Sequence, residues 1–152
     1  MTDSVTALFK LSLLDCDRSD PLADFFTAHA SIDSPGVAGE TAFTAAGRDL
    51  HVFVADAGKM QGDVSGSAVL LGGWDAESCL RLAVSRTEAG GPVVAHVSML
   101  AHEQSTELET RVESEFVVPP DALSAFLAHV QHLVDRREPG HATLTGDAHT
   151  HA

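Results

Sequence analysis

Residues 92–118 read PVVAHVSMLAHEQSTELETRVESEFVV, and their alternation decides the fold class. Val93, Ala95, Val97, Met99 and Ala101 share one face of an extended chain, because successive strand side chains point to opposite sides. Over 106–118 the odd positions are Glu107, Glu109, Arg111, Glu113 and Glu115. The even positions are Leu108, Thr110, Val112, Ser114 and Phe116. One face is suited to a core and the other to water, as in a half-covered antiparallel sheet. Just upstream, SCLRLAVSRTE puts Leu80, Leu82 and Val84 on one face, and EAGGP turns the chain back. These segments read as a three-stranded meander. A four-residue loop sets His102 opposite Glu107, Leu100 opposite Glu109, Ser98 opposite Arg111 and His96 opposite Glu113. Across the earlier turn, Leu82 falls beside Met99 and Val84 beside Val97.

Downstream, PPDALSAFLAHVQHLVDR predicts a helix over 120–136. Pro120 and Asp121 suit its first turn, and Leu123, Phe126, Leu127, Val130, Leu133 and Val134 form one apolar stripe. His129 and His132 fall on the polar side. After EPG, residues 138–152 hold few apolar groups, which predicts a disordered tail carrying His141, His149 and His151. Such a tail binds metals adventitiously at most.

Upstream of the meander, VTALFKLSLL reads as a strand and PLADFFTAHA as a helix over 21–30, with Leu22, Phe25, Phe26 and His29 at helical spacing. SIDSPGVAGE reads as a loop. TAFTAAGRDLHVFVADA reads as a hairpin turning at Gly47–Arg48–Asp49, the 57–67 segment as a flexible loop, and AVLLGGWD as a short strand. Leu22-x-x-Phe25-Phe26 echoes Leu123-x-x-Phe126-Leu127, as two matched helices over one sheet would, and as chance would; the echo is too short to count as a repeat. The expected architecture is one α+β domain over 1–137: a curved antiparallel sheet of five to seven strands covered by one or two helices.

The 152 residues carry a net charge of −13, which argues against nucleic acid and anionic membrane as partners and fits a basic protein. No cationic segment precedes the first apolar stretch, and no apolar run approaches the ~18 residues of a membrane helix. Cys16 and Cys79 read as reduced, inert thiols of a cytoplasmic chain. No Walker A loop, GxGxxG or GxSxG is present; GDVSG puts Ser65 one place too late for a nucleophile elbow. Asp15, Asp17 and Asp20 lack the Gly and distal Glu of a calcium loop. No cofactor and no catalytic residue is expected.

The remaining candidate is the column Glu107, Glu109, Arg111, Glu113 and Glu115, with His96 and His102 beside it. Neighbouring carboxylates repel, and a cationic partner relieves that repulsion. The plain alternative is a solvated sheet face. A metal-dependent enzyme using His96, His102, Glu107 and Glu113 is the rival from another class, and a structural or oligomerising domain is the third.

The stretches WDAESCLRLAVSRTE, GGPVVAHVSMLAH and ESEFVVPPDALSAFLAHVQHLV, with PLADFFTAHA before them, resemble small bacterial domains of the WapI-type immunity family. The resemblance implies an antiparallel sheet covered by helices, no cofactor, and binding of a cognate toxin. It assigns no residue a role.

Overall fold

The computed structural model describes residues 5–17, 25–34, 37–62, 65–72, 80–102 and 109–148. In chain order the elements are β1 (Val5–Asp17), β2 (Phe25–Ser34), β3 (Val37–Ala46), α1 (Gly47–Gly58), a 3₁₀ turn (Lys59–Gly62), β4 (Gly66–Gly72), β5 (Leu80–Arg86), β6 (Val93–His102), β7 (Glu109–Val118), α2 (Pro120–Arg136) and β8 (Gly140–Ala148). The strands form one eight-stranded sheet in the order β3-β2-β1-β8-β7-β6-β5-β4. Every pairing is antiparallel. The class is α+β as expected, with more strands than the expected five to seven.

The meander β5-β6-β7 forms because its alternation lets three strands bury one face together. Leu80, Leu82, Val84, Val93, Ala95, Val97, Met99, Phe116 and Val118 are all buried. α2 has the expected bounds. Leu123, Phe126, Leu127, Val130 and Val134 face the core, and Arg137 ends the helix in the left-handed region, its N–H donating to the carbonyl of Leu133.

Several expectations fail: SIDSPGVAGE is not a loop but the end of β2 and the start of β3, and the 57–67 segment carries the end of α1, the 3₁₀ turn and the start of β4. Residues 25–30 belong to strand β2, whose buried Phe26, Ala28, Ala30 and Ile32 alternate; the Phe25–Phe26–His29 spacing that suggested a helix is incidental. The expected hairpin over 41–57 is instead the end of β3 followed by α1, which buries Leu50, Phe53 and Ala57 at i, i+3 and i+7. The expected tail over 138–152 contains β8, which pairs with β1 from Val5↔Ala148 to Leu13↔Gly140. β8 buries Ala142 and Leu144, so its small inward residues suffice inside a sheet though they form no conspicuous stripe. His141 lies on this strand and is exposed; His149 and His151 lie outside the described residues, as do Trp74 and Cys79.

The sheet divides where β7 and β8 meet at the single pair Val117↔Asp147. One arm is β3-β2-β1-β8 and the other β7-β6-β5-β4. The two arms and both helices enclose one core, in which the Phe9 and Phe126 rings meet edge-on at 6.2 Å. Close approach between strands depends on glycine at two places. A Cβ at Gly72 of β4 would overlap the Phe43 ring of β3, and one at Gly146 of β8 would overlap the Phe116 ring and the Val117 carbonyl of β7.

The element order repeats: β1-β2-β3-α1-β4, then β5-β6-β7-α2-β8. A shift of 73 residues carries Leu50, Phe53 and Ala57 onto Leu123, Phe126 and Val130, and Phe43 onto Phe116. The echo read between Leu22-x-x-Phe25-Phe26 and α2 fails, since Phe25 and Phe26 lie on β2; the element that matches α2 is α1. The last strand of each repeat joins the other repeat, β4 beside β5 and β8 beside β1, so the halves interlock.

Candidate functional site

The outward face of β5-β6-β7 carries the described candidates. Its register is His102↔Glu109, Leu100↔Arg111, Ser98↔Glu113 and His96↔Glu115. This is two residues from the expected alignment, since His102 faces Glu109 and not Glu107. On the other side, Leu80↔Met99 and Leu82↔Val97 replace Leu82 beside Met99 and Val84 beside Val97. A shift of two leaves every side chain on its expected face. The division into polar and apolar faces therefore survives the change of register.

Arg111, Glu113 and Glu115 are exposed on β7. Arg111 folds back over β6, its guanidinium donating to Ser98 Oγ at 2.8 Å. Ser98 is buried beneath it. Among the described residues no ion pair engages Glu113 or Glu115. His96 is half-buried opposite Glu115, and its Nδ1 is buried with no hydrogen-bond partner among the described residues. Glu109 and His102 are paired strand residues whose side chains, like Glu107 altogether, lie outside the description. Arg81 lies on the same face, directly across Ser98 from Glu113. The described face is thus patterned rather than uniformly acidic.

The metal arrangement over His96, His102, Glu107 and Glu113 cannot use both histidines, and Glu107 lies outside the described residues. His96 and His102 are six residues apart on β6, roughly 20 Å along a strand, too far for both to bind one ion. Zinc needs all its ligand atoms within about 2.3 Å. Among the described residues no group of three or more His, Cys, Asp or Glu side chains could hold a metal ion.

The first repeat carries a matching row that sequence reasoning missed. Lys10, Ser31 and Glu40 lie side by side across β1, β2 and β3, as Arg81, Ser98 and Glu113 do across β5, β6 and β7. The adjacent rows are Ser12–His29–Ala42 and Ala83–His96–Glu115. Each repeat therefore presents a cation, a serine and a glutamate in line, with a histidine next to the serine. In the first repeat His29 Nε2 approaches Glu40 of the neighbouring row at 3.4 Å. Reading 25–30 as a helix hid this row, since it is visible only once β2 is a strand.

Two further polar features lie elsewhere. Gln131 of α2 bridges the helices, its Nε2 donating to Asp135 Oδ1 at 2.8 Å and lying 3.1 Å from His51 Nδ1 of α1. A groove of about 350 Å³ between the start of β3 and β7 is lined by Val37, Ala38, Arg111, Val112 and Glu113.

No protein-family model, no curated protein and no solved structure matches this chain. Among the described residues, no helix is long and apolar enough to cross a membrane.

Proposed function

We propose that this chain is a non-catalytic binding protein that docks a basic protein partner on the outward face of β5-β6-β7, in the manner of an immunity protein neutralising a toxin. The observation that carries the reading is the pair Glu113 and Glu115. Both are exposed, they lie two residues apart on one strand face, and neither has an ion-pair partner among the described residues. Arg111, the nearest cation in sequence, is engaged with Ser98 instead. Carboxylates left in this state attract a cationic surface and speed its approach, and the net charge of −13 adds a long-range field of the same sign. Arg111, His96, His102, Glu107 and Glu109 flank the pair in sequence and belong to the same proposed surface. The immunity-like role adds the resemblance of 78–134 to the WapI-type family.

The test compares the wild type with Glu113→Lys/Glu115→Lys as immobilised bait in native extract, eluted by a salt gradient. A basic protein retained stoichiometrically by the wild type and lost from the double variant supports the reading. Equal retention by both baits refutes this face.

A further inference from the structure

Helix α1 carries two charges against its own dipole. Arg48 stands in the first turn, at the positive end, and Asp56 in the last turn, at the negative end. Asp49 supplies the customary N-terminal carboxylate, and Lys59 reaches Asp56 at 3.6 Å through an exposed contact. Neither accounts for the placement of Arg48 and Asp56. The matching helix α2 has the ordinary order, Asp121 in its first turn and Arg136 in its last.

The two opposed charges bracket Val52. Arg48, Val52 and Asp56 lie at i, i+4 and i+8, on one ridge of the helix. Val52 is 52% exposed, and on the outward side of β4 Val69 and Leu71 are 42% and 52% exposed. These three line a shallow hollow of about 360 Å³ with Arg48 and Asp49 at its rim. The fold does not require apolar residues there, because β8, the counterpart of β4, turns Thr143 and Thr145 outward.

This ridge is complementary to itself. If a second α1 packs antiparallel about a two-fold axis at Val52, each Val52 meets its copy. Arg48 then meets the partner's Asp56, since both charges lie four residues from the axis, roughly 6 Å along the helix. Arg48 also comes beside the negative end of the partner helix, and Asp56 beside its positive end. Each charge that opposes its own dipole is thereby stabilised by the other helix. Most faces of a chain with net charge −13 repel their copies, but this ridge is neutral. We infer that the chain forms a two-fold homodimer through α1 and the outward side of β4, with Arg48 paired to the partner's Asp56 around a Val52, Val69 and Leu71 contact.

Sedimentation equilibrium on the full chain over a concentration series tests this. The weight-average mass rises from 15.9 kDa towards twice that value as concentration increases. Arg48→Asp and Asp56→Arg each abolish the rise, because each sets like charges against each other at both contacts. An equimolar mixture of the two variants restores it, because a mixed pair has opposite charges at both contacts. Leu71→Ser abolishes association while leaving every charge in place. Circular dichroism melts matching the wild type show that the variants remain folded. A monomer at every concentration overturns the proposal. So does a dimer that the single charge variants leave intact, or a mixture of them that stays monomeric.

Discussion

Leu144→Ala tests whether residues 140–148 are a working part of the fold. Leu144 is fully buried on β8, directly opposite Phe9 of β1. The Phe9 ring in turn meets Phe126 of α2, so Leu144 belongs to a contact that ties the β1–β8 arm of the sheet to that helix. Truncating a buried leucine costs its transfer free energy and leaves a cavity, about 2–5 kcal/mol together. The upper half of that range applies here. Nine consecutive pairs lock β8 to β1, so the strand cannot slide to fill the space. The neighbouring Thr145 is exposed on the opposite face, and Thr145→Ala changes stability by no more than about 0.5 kcal/mol. Urea unfolding followed by far-ultraviolet circular dichroism measures both, and the slope of free energy against urea checks that unfolding stays two-state. A loss of about 4 kcal/mol lowers the melting temperature by roughly 8–16 °C for a chain of this size. If Leu144→Ala costs less than about 1 kcal/mol, or no more than Thr145→Ala, then 140–148 is a loose tail and the placement of β8 is wrong.

Other outcomes follow from the same contacts. Gly72→Ala and Gly146→Ala each destabilise by about 1–3 kcal/mol in urea melts, since the new methyl meets Phe43 in one case and Phe116 with the Val117 carbonyl in the other. Gly58→Ala stabilises by about 0.4–1 kcal/mol, because nothing lies within 4 Å of its Cβ position at the end of α1. Phe126→Ala costs about 3–5 kcal/mol through the loss of a fully buried ring. Asp135→Ala costs less than about 1 kcal/mol by thermal melt, because the His51–Gln131–Asp135 bridge between the helices is solvent-exposed.

The parts of the fold legible in the sequence were those where one period dominated. β5, β6 and β7 alternate bulky apolar and polar residues over their length. α2 combines a proline start with a stripe from Leu123 to Val134, and both readings match the structure. β2 was misread because FFTAHASI satisfies two periods at once. Phe25, Phe26 and His29 fit a helix, while Phe26, Ala28, Ala30 and Ile32 fit a strand, and alanine marks a buried face poorly. α1 was misread because HVFV has strand propensity, and tertiary burial of Leu50, Phe53 and Ala57 overrides it. β8 was missed because Gly and Ala serve as its inward residues around Leu144, a set too small to signal burial in isolation. The registers were wrong by two because loop length, not pattern, fixes them, and a shift of an even number is invisible to alternation.

The repeat separates what the fold requires from what it does not. Features present in both halves, namely the Phe43 and Phe116 contacts on glycine, the Leu-x-x-Phe of each helix, and the rows Lys10–Ser31–Glu40 and Arg81–Ser98–Glu113, are accounted for by building the same unit twice. Opposite charges flanking a small serine also stabilise neighbouring strands, so these rows need no ligand to explain them. The differences are more informative. The 73-residue shift that carries Glu40 onto Glu113 carries Ala42 onto Glu115, and it carries Val52 onto Ala125. Glu115 and Val52 are therefore departures from the shared plan. Each is exposed, and each belongs to one of the two surfaces argued above. Exposed departures of this kind cost the fold little and contribute little to it, which is the condition under which a surface is free to serve recognition. Exchanging each for its counterpart, as Glu115→Ala and Val52→Ala, leaves the stability within about 0.5 kcal/mol of the wild type in urea melts. Glu115→Ala weakens retention of the basic partner alone, and Val52→Ala weakens self-association alone. A change in stability well above that figure would show that these positions serve the fold, and would remove the basis for assigning them to binding.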